Sequence, residues 1–246
     1  MSSWLEYGPD QLSAVAASAH CEQPARRVAA LLGLGAALPV GRLTNAEVVA
    51  RLGIEESWIE KRTGILERRR MGPGDSLVAL GSQAAQRALD DAGVSPGEVD
   101  LLVAATVGSD DVLPNFAPLV AGEIGAHKAG AFDIGAGCVG FVAALPTAAA
   151  AVESGRARHA VVLAAEHMTR WIDYDDRNTA ALFGDGAAAV VLGPGSQGVG
   201  AVILGAEASE QHLVGIPGDG GAARDGRTGH LPGGGRAPHA GHAQGS

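Results

Sequence analysis

Apolar residues along the chain fall into two alternating patterns, short unbroken runs and longer stripes at helical spacing. The unbroken runs at 27–35, 99–107, 131–134 and 159–166 predict buried strands. Because these runs are nearly all apolar, they predict a sheet covered on both faces. Between the first two, Thr44 and Glu47 have capping-box spacing and open a helix through Leu52. A second short helix is expected over 55–61, closed by Arg62, Thr63 and Gly64. Residues 76–92 carry a longer amphipathic stripe, with Leu77, Leu80, Ala84, Ala88 and Leu89 on one face and Gly93 as the stop. Another helix is expected at 116–125 and a polar loop at 173–178. Residues 187–192 and 199–204 read as two strands joined through Gly193-Pro194-Gly195-Ser196, an antiparallel hairpin at the sheet edge. Strands alternating with helices, then a hairpin, predict a layered α/β domain over 27–214.

The two ends differ from this middle. Residues 1–26 predict a loose extension, with a short helix at 12–19 and His20 and Cys21 as an isolated pair. Residues 218–246 are dominated by Gly, Ala, Arg, Pro and His, and Leu231 is their only large apolar residue. Such a segment cannot bury enough surface to offset its ordering entropy, so 215–246 is expected to be a disordered tail. Its composition resembles a GC-rich gene read out of frame, and the expectation is a truncated or frame-disrupted chain. His230, His239 and His242 suit a solvated tail better than a metal cluster, and no metal site is expected.

With 46% hydrophobic residues over 246 positions, the chain can hold a substantial core. Its net charge of −9 leaves no basic face for phosphate backbones and argues against nucleic acid as a partner. Two distant cysteines imply no disulfide framework and fit a reducing, cytoplasmic setting. No signal-peptide pattern opens the chain, and Asp133 and several glycines break the apolar stretch 130–151 into strand plus helix. A soluble protein is expected.

Cys138 is the candidate nucleophile. It lies between the apolar strand 131–134 and an Ala-rich helix ending near Ser154 and Gly155, flanked by Gly135, Gly137 and Gly140. A cysteine on such a turn points its sulfur outward, next to unpaired N–H groups at the positive end of a helix. That setting favours a thiolate and would hold the oxyanion formed when sulfur attacks a carbonyl. The alternative is a small apolar core cysteine. The glycines and the strand-to-helix position favour the elbow.

Four stretches together resemble the β-ketoacyl-ACP synthase III group of the thiolase superfamily: Thr44-Asn45-Ala46-Glu47, the run from Ser57 to Arg69, the run from Ala131 to Phe141, and Phe183-Gly184-Asp185-Gly186-Ala187. Trp58-Ile59 and Arg62-Thr63-Gly64-Ile65, taken with the cysteine elbow, are the most specific part of the match. The resemblance implies an α/β, thiolase-like layered α/β/α fold, here the N-terminal half with a mixed sheet and without most of the C-terminal half. It implies an acyltransferase in which Cys138 takes an acyl group from acyl-CoA as a thioester, for condensation with malonyl-ACP in fatty acid or polyketide biosynthesis. Trp58 would stack on the adenine of CoA, with Arg62, Thr63 and Arg177 at the nucleotide end. Phe183 and Leu113 would line the acyl pocket, Leu113 from across a homodimer interface. On the residues alone, Trp58 also reads as a core anchor and Arg62 as a solvated helix end. Lys61, Arg62, Arg68, Arg69 and Arg70 form a basic cluster suited to CoA phosphates or an acidic acyl carrier protein.

The resemblance needs no resident cofactor. It places the catalytic His and Asn of the family in the second half, which 218–246 does not match. The expectation is therefore a synthase III-like acyltransferase of doubtful full condensing activity. The other readings are a non-catalytic half-domain or acyl-binding partner subunit, and a hydroxymethylglutaryl-CoA synthase type lacking the Trp58 to Ile65 run.

Overall fold

The computed structural model describes residues 27–210 and Ile216. The expectations for 1–26, including His20 and Cys21, and those for the tail with His230, His239 and His242 lie outside the described residues.

Five strands build one mixed sheet: β1 (Val28–Ala37), β4 (Leu101–Ala105), β5 (Gly130–Ile134), β6 (Ala160–His167) and β7 (Asp185–Gly195), in the order β1-β7-β6-β4-β5. β4 runs parallel to β5 and β6, whereas β7 is antiparallel to both β6 and β1. A small antiparallel ribbon pairs β2 (Arg42–Thr44) with β3 (Glu67–Arg69). It frames the helices α1 (Asn45–Leu52) and α2 (Glu56–Thr63). The helices α3 (Leu77–Ala92), α4 (Phe116–Glu123) and α5 (Gly140–Glu153) complete the layers.

The central strands β4 and β6 are largely buried because both faces are covered, whereas β5 has no fully buried residue and β1 exposes Leu31 and Leu34. Side chains alternate across a strand, and on β6 Val161 and Leu163 join one cluster while Ala160 and Val162 join the other. The first cluster packs Leu77, Leu80, Leu89, Phe116 and Val120 of α3 and α4 onto the sheet. The second packs Ala144, Ala148 and Val152 of α5 onto the opposite face. Leu77, Leu89, Leu163 and Phe116 are fully buried, and each such side chain contributes about 1.5–3 kcal/mol on leaving water.

Local signals in the sequence set several boundaries. Thr44 Oγ1 accepts from Glu47 N, and the Glu47 carboxylate returns to Thr44 N, closing the capping box. Ser76 caps α3, and Gly93 ends it in the left-handed region at φ +65°.

The expected hairpin at 187–204 does not form. β7 continues through Gly193, Pro194 and Gly195, which pair with Ala30, Ala29 and Val28 of β1. β6 reaches only as far as Leu192, so beyond it β7 is open on one side. A proline without an N–H fits there. Val199 N donates to Ala29 O at 3.0 Å, but 200–204 has no regular structure and Ile203 is exposed. Among the described residues, no helix is long and apolar enough to cross a membrane.

Candidate active site

β4, β5 and β6 are parallel, so their C-terminal ends meet at one edge of the layer, the place where open α/β sheets form their crevices. The chain leaves β5 at Ile134, makes a 3-10 turn over Gly137–Val139 and enters α5 at Gly140. Gly137 sits at φ +53°, a left-handed conformation that suits glycine and turns the chain sharply into the helix. Gly140 is buried, and a side-chain carbon there would lie 3.1 Å from Ala105 Cβ, so the start of α5 presses on the end of β4. Cys138, between these glycines, is a free and exposed thiol. No side chain caps α5, which leaves its first-turn N–H groups beside the cysteine without a side-chain acceptor.

A carboxylate on the same strand ties β5 to α4. Asp133 accepts from Phe116 N at 2.8 Å and Ala117 N at 2.7 Å, capping α4 in place of Asn115. The cap joins residues distant in sequence, so spacing gave no signal for it.

Three of the residues expected at the nucleotide end come together. The guanidinium of Arg62 lies 4.7 Å from the centre of the Trp58 ring and that of Arg177 lies 5.3 Å from it. Both arginines are exposed. Thr63 closes α2: its hydroxyl donates to Ile59 O at 2.8 Å and accepts from Ile65 N at 3.1 Å. Phe183 and Trp58 both pack against the cluster built on Ile59, Val48, Ile172 and Ala180. Trp58 is thus core anchor and exposed ring edge at once, since it is only half-buried. Leu113 stands 79% exposed on loop 107–115.

The basic cluster is smaller than its sequence suggests. Arg68 points inward, donating to Ala181 O at 2.9 Å and to Asn45 Oδ1 at 2.6 Å, with burial lowering its pKa. Arg69 reaches back to Pro39 O. On a strand, adjacent side chains alternate in direction, and Arg68 falls on the inner side of the ribbon. Tyr174, not singled out in the sequence, lies between Arg51 and Arg70 at 5.9 and 5.8 Å, and burial raises its pKa.

A polar network at the ends of β6 and β7 also escaped the sequence reading. Asp185 is buried and accepts from Met71 N, Thr169 N and Thr169 Oγ1 at 2.6–2.8 Å. His167 Nε2 lies 3.9 Å from Asp185 Oδ2; burial lowers the imidazole pKa, and Asp185 partly opposes that. Burial raises the pKa of Glu166, against the pull of the Val107 amide. A cavity of about 310 Å³ is lined by Gly41, Arg42, Arg70, Met71, Gly72 and Pro73, of which Arg70 alone belongs to the basic cluster singled out in the sequence. Among the described residues no group of three His, Cys, Asp or Glu could hold a metal ion.

Residues 132–211, from the cysteine strand onward, match the family described as 3-oxoacyl-[acyl-carrier-protein] synthase III. The β-ketoacyl-[acyl-carrier-protein] synthase III of Streptomyces lividans is 45% identical over 183 residues, 74% of this chain and 54% of the relative. That of Sphingopyxis alaskensis is 40% identical over 209 residues, 83% of this chain and 64% of the relative. Over this shared span the chain is similar to the β-ketoacyl-ACP synthase III family. Solved structures agree. The priming β-ketosynthase of the R1128 polyketide pathway superimposes with a TM-score of 0.79 at 39% identity, covering 86% of this chain and 64% of that one. The synthase III of Aquifex aeolicus gives 0.75 at 34% identity, over 83% and 64%. The fold is therefore thiolase-like, layered α/β. The chain spans about half to two thirds of the length of these curated relatives.

Proposed function

We propose that the chain is the acyl-accepting part of a β-ketoacyl-ACP synthase III-like acyltransferase. The observation that carries this is the exposed Cys138 on the strand–turn–helix elbow. In the reaction, the Cys138 sulfur attacks the thioester carbonyl of acyl-CoA, and first-turn amides of α5 hold the tetrahedral oxyanion. The bond from carbonyl carbon to CoA sulfur then breaks. CoA leaves as the thiol, taking up the cysteine's proton, and the acyl group stays on Cys138. Condensation follows when malonyl-ACP loses carbon dioxide and its α-carbon attacks the acyl-cysteine, freeing the sulfur. That step needs donors for the enolate, a role no described residue is assigned.

Trp58 stacks on the adenine, with Arg62 and Arg177 flanking the ring and facing the phosphates, and Thr63 holds the end of α2 that carries Arg62. The two ring contacts support this reading. Phe183 and Leu113 line the acyl pocket, Leu113 from a second copy in a homodimer, which suits its exposure. Acyl carrier protein is the second partner, and the setting is cytoplasmic. The relatives, named as β-ketoacyl-[acyl-carrier-protein] synthases III, support the carrier-protein part.

A second reading is an acyl-binding, non-catalytic partner subunit. Exposure of Phe132, Val139 and Val142 around the elbow favours it, because apolar surface at that position suits a covering chain. Chromatographic release of free CoA separates the two. Stoichiometric release from acetyl-CoA by the native chain, lost in Cys138→Ala, supports transfer, and no release supports the binding subunit.

A further inference from the structure

Loop 107–115 follows β4 and is tied down at both ends. Near the end of β6, Glu166 Oε1 accepts from Val107 N at 3.0 Å. Arg170, in the 3-10 turn Met168–Trp171, donates to Gly108 O and pairs with Asp110 Oδ1 at 3.2 Å. Asp110 uses its other oxygen to accept from Leu77 N at 3.0 Å, which fixes the loop to the first turn of α3. The approach is tight: a side-chain carbon on Gly108 would lie 2.8 Å from Glu166 Oε2 and 3.1 Å from His167 N. At the far end Asp133 holds the Phe116 and Ala117 amides. Between the ties Val112 and Leu113 are 98% and 79% exposed.

A segment pinned at both ends with two large apolar side chains in water is built to present them. Glu166 Oε2 and Arg170 Nε are moreover buried without a hydrogen-bond partner among the described residues. An arrangement that leaves such atoms unpaired is unfavourable for stability, and it needs another reason to persist. The planar guanidinium of Arg170 supplies that reason by gripping a carbonyl and a carboxylate at once, a geometry lysine cannot reproduce.

We propose that Glu166 and Arg170 are positioning residues that fix where loop 107–115 presents Leu113, and thereby select the length of acyl group accepted at Cys138. The inference rests on the reading above, in which Leu113 of one copy lines the acyl pocket of another. Moving one apolar wall by a methylene's width changes selection in a hydrophobic pocket by roughly 10- to 200-fold. The loop's ties are therefore a lever on specificity.

The test presents equal concentrations of acetyl-, butyryl- and hexanoyl-CoA to the full chain and reads the acyl adducts on Cys138 by mass. Arg170→Met removes both of its ties, Leu113→Ala removes the wall itself, and Glu166→Leu removes the acceptor of the Val107 amide. Hydrogen exchange at 107–111 and at Leu77 is measured on each variant. The expected result is a shift of about tenfold in the hexanoyl-to-acetyl ratio for Arg170→Met, in the same direction as for Leu113→Ala. Glu166→Leu should shift the ratio in the same direction, the Arg170→Met, Leu113→Ala double variant should shift it no further than either single one, and both tie variants should show faster exchange in the loop. Uniform loss of all three adducts in Arg170→Met, or unchanged loop exchange, overturns the proposal while leaving acyl transfer standing. No adduct in the unaltered chain overturns the acyl-transfer reading first and this proposal with it.

Discussion

Arg177 places its guanidinium 5.3 Å from the centre of the Trp58 ring, although one residue lies on a loop and the other on α2. With Arg62 at 4.7 Å, two cations share one indole. Each cation–π contact contributes about 0.5–2 kcal/mol. Arg177→Ala should therefore weaken CoA binding by about 2- to 30-fold, and Trp58→Ala by at least as much. Titration calorimetry with CoA checks this. Affinity in both variants unchanged from that of the native chain would move the nucleotide away from Trp58.

Asp133 caps α4 across the sheet, with two amides within 2.8 Å. Asp133→Ala should cost about 0.5–2 kcal/mol, the range for a lost helix cap. Asn at this position keeps one acceptor and should recover part of the loss. Urea unfolding monitored by circular dichroism gives both values.

Asp185 is buried and serves three donors. Asp185→Ala strands the Met71 and Thr169 groups without an acceptor and should cost about 3–5 kcal/mol, more than Asp133→Ala. A smaller effect in the same unfolding assay would show that water replaces the carboxylate.

Capping and stop signals were legible in the sequence because they act within one turn: Thr44 with Glu47, and Gly93. The cysteine elbow was legible for the same reason, as strand, glycines and helix are consecutive. What depends on pairing between distant segments was not. The path of β7 through Pro194 follows from β1 lying beside it and β6 ending earlier, which no local pattern encodes. Arg68 looked like surface charge until Asn45 and Ala181 supplied buried acceptors. Asp185 was visible as part of a motif, yet its three donors come from two other segments.

Burial lowers the pKa of His167 below its ordinary value. The unfolded chain therefore takes up this proton at higher pH than the folded one, and stability present above pH 6.5 is lost as pH falls below it. Replacing His167 with Asn should flatten the fall in unfolding midpoint between about pH 7 and pH 5. An identical slope in both proteins would remove His167 as the cause.

The central claim is that the Cys138 sulfur carries the acyl group. Intact-mass analysis of the chain after incubation with acetyl-CoA, followed by peptide mapping, tests it most directly. The account predicts one acetyl adduct, located on the peptide containing Cys138 and missing from Cys138→Ala. An unmodified chain, or an adduct that persists in Cys138→Ala, would contradict it.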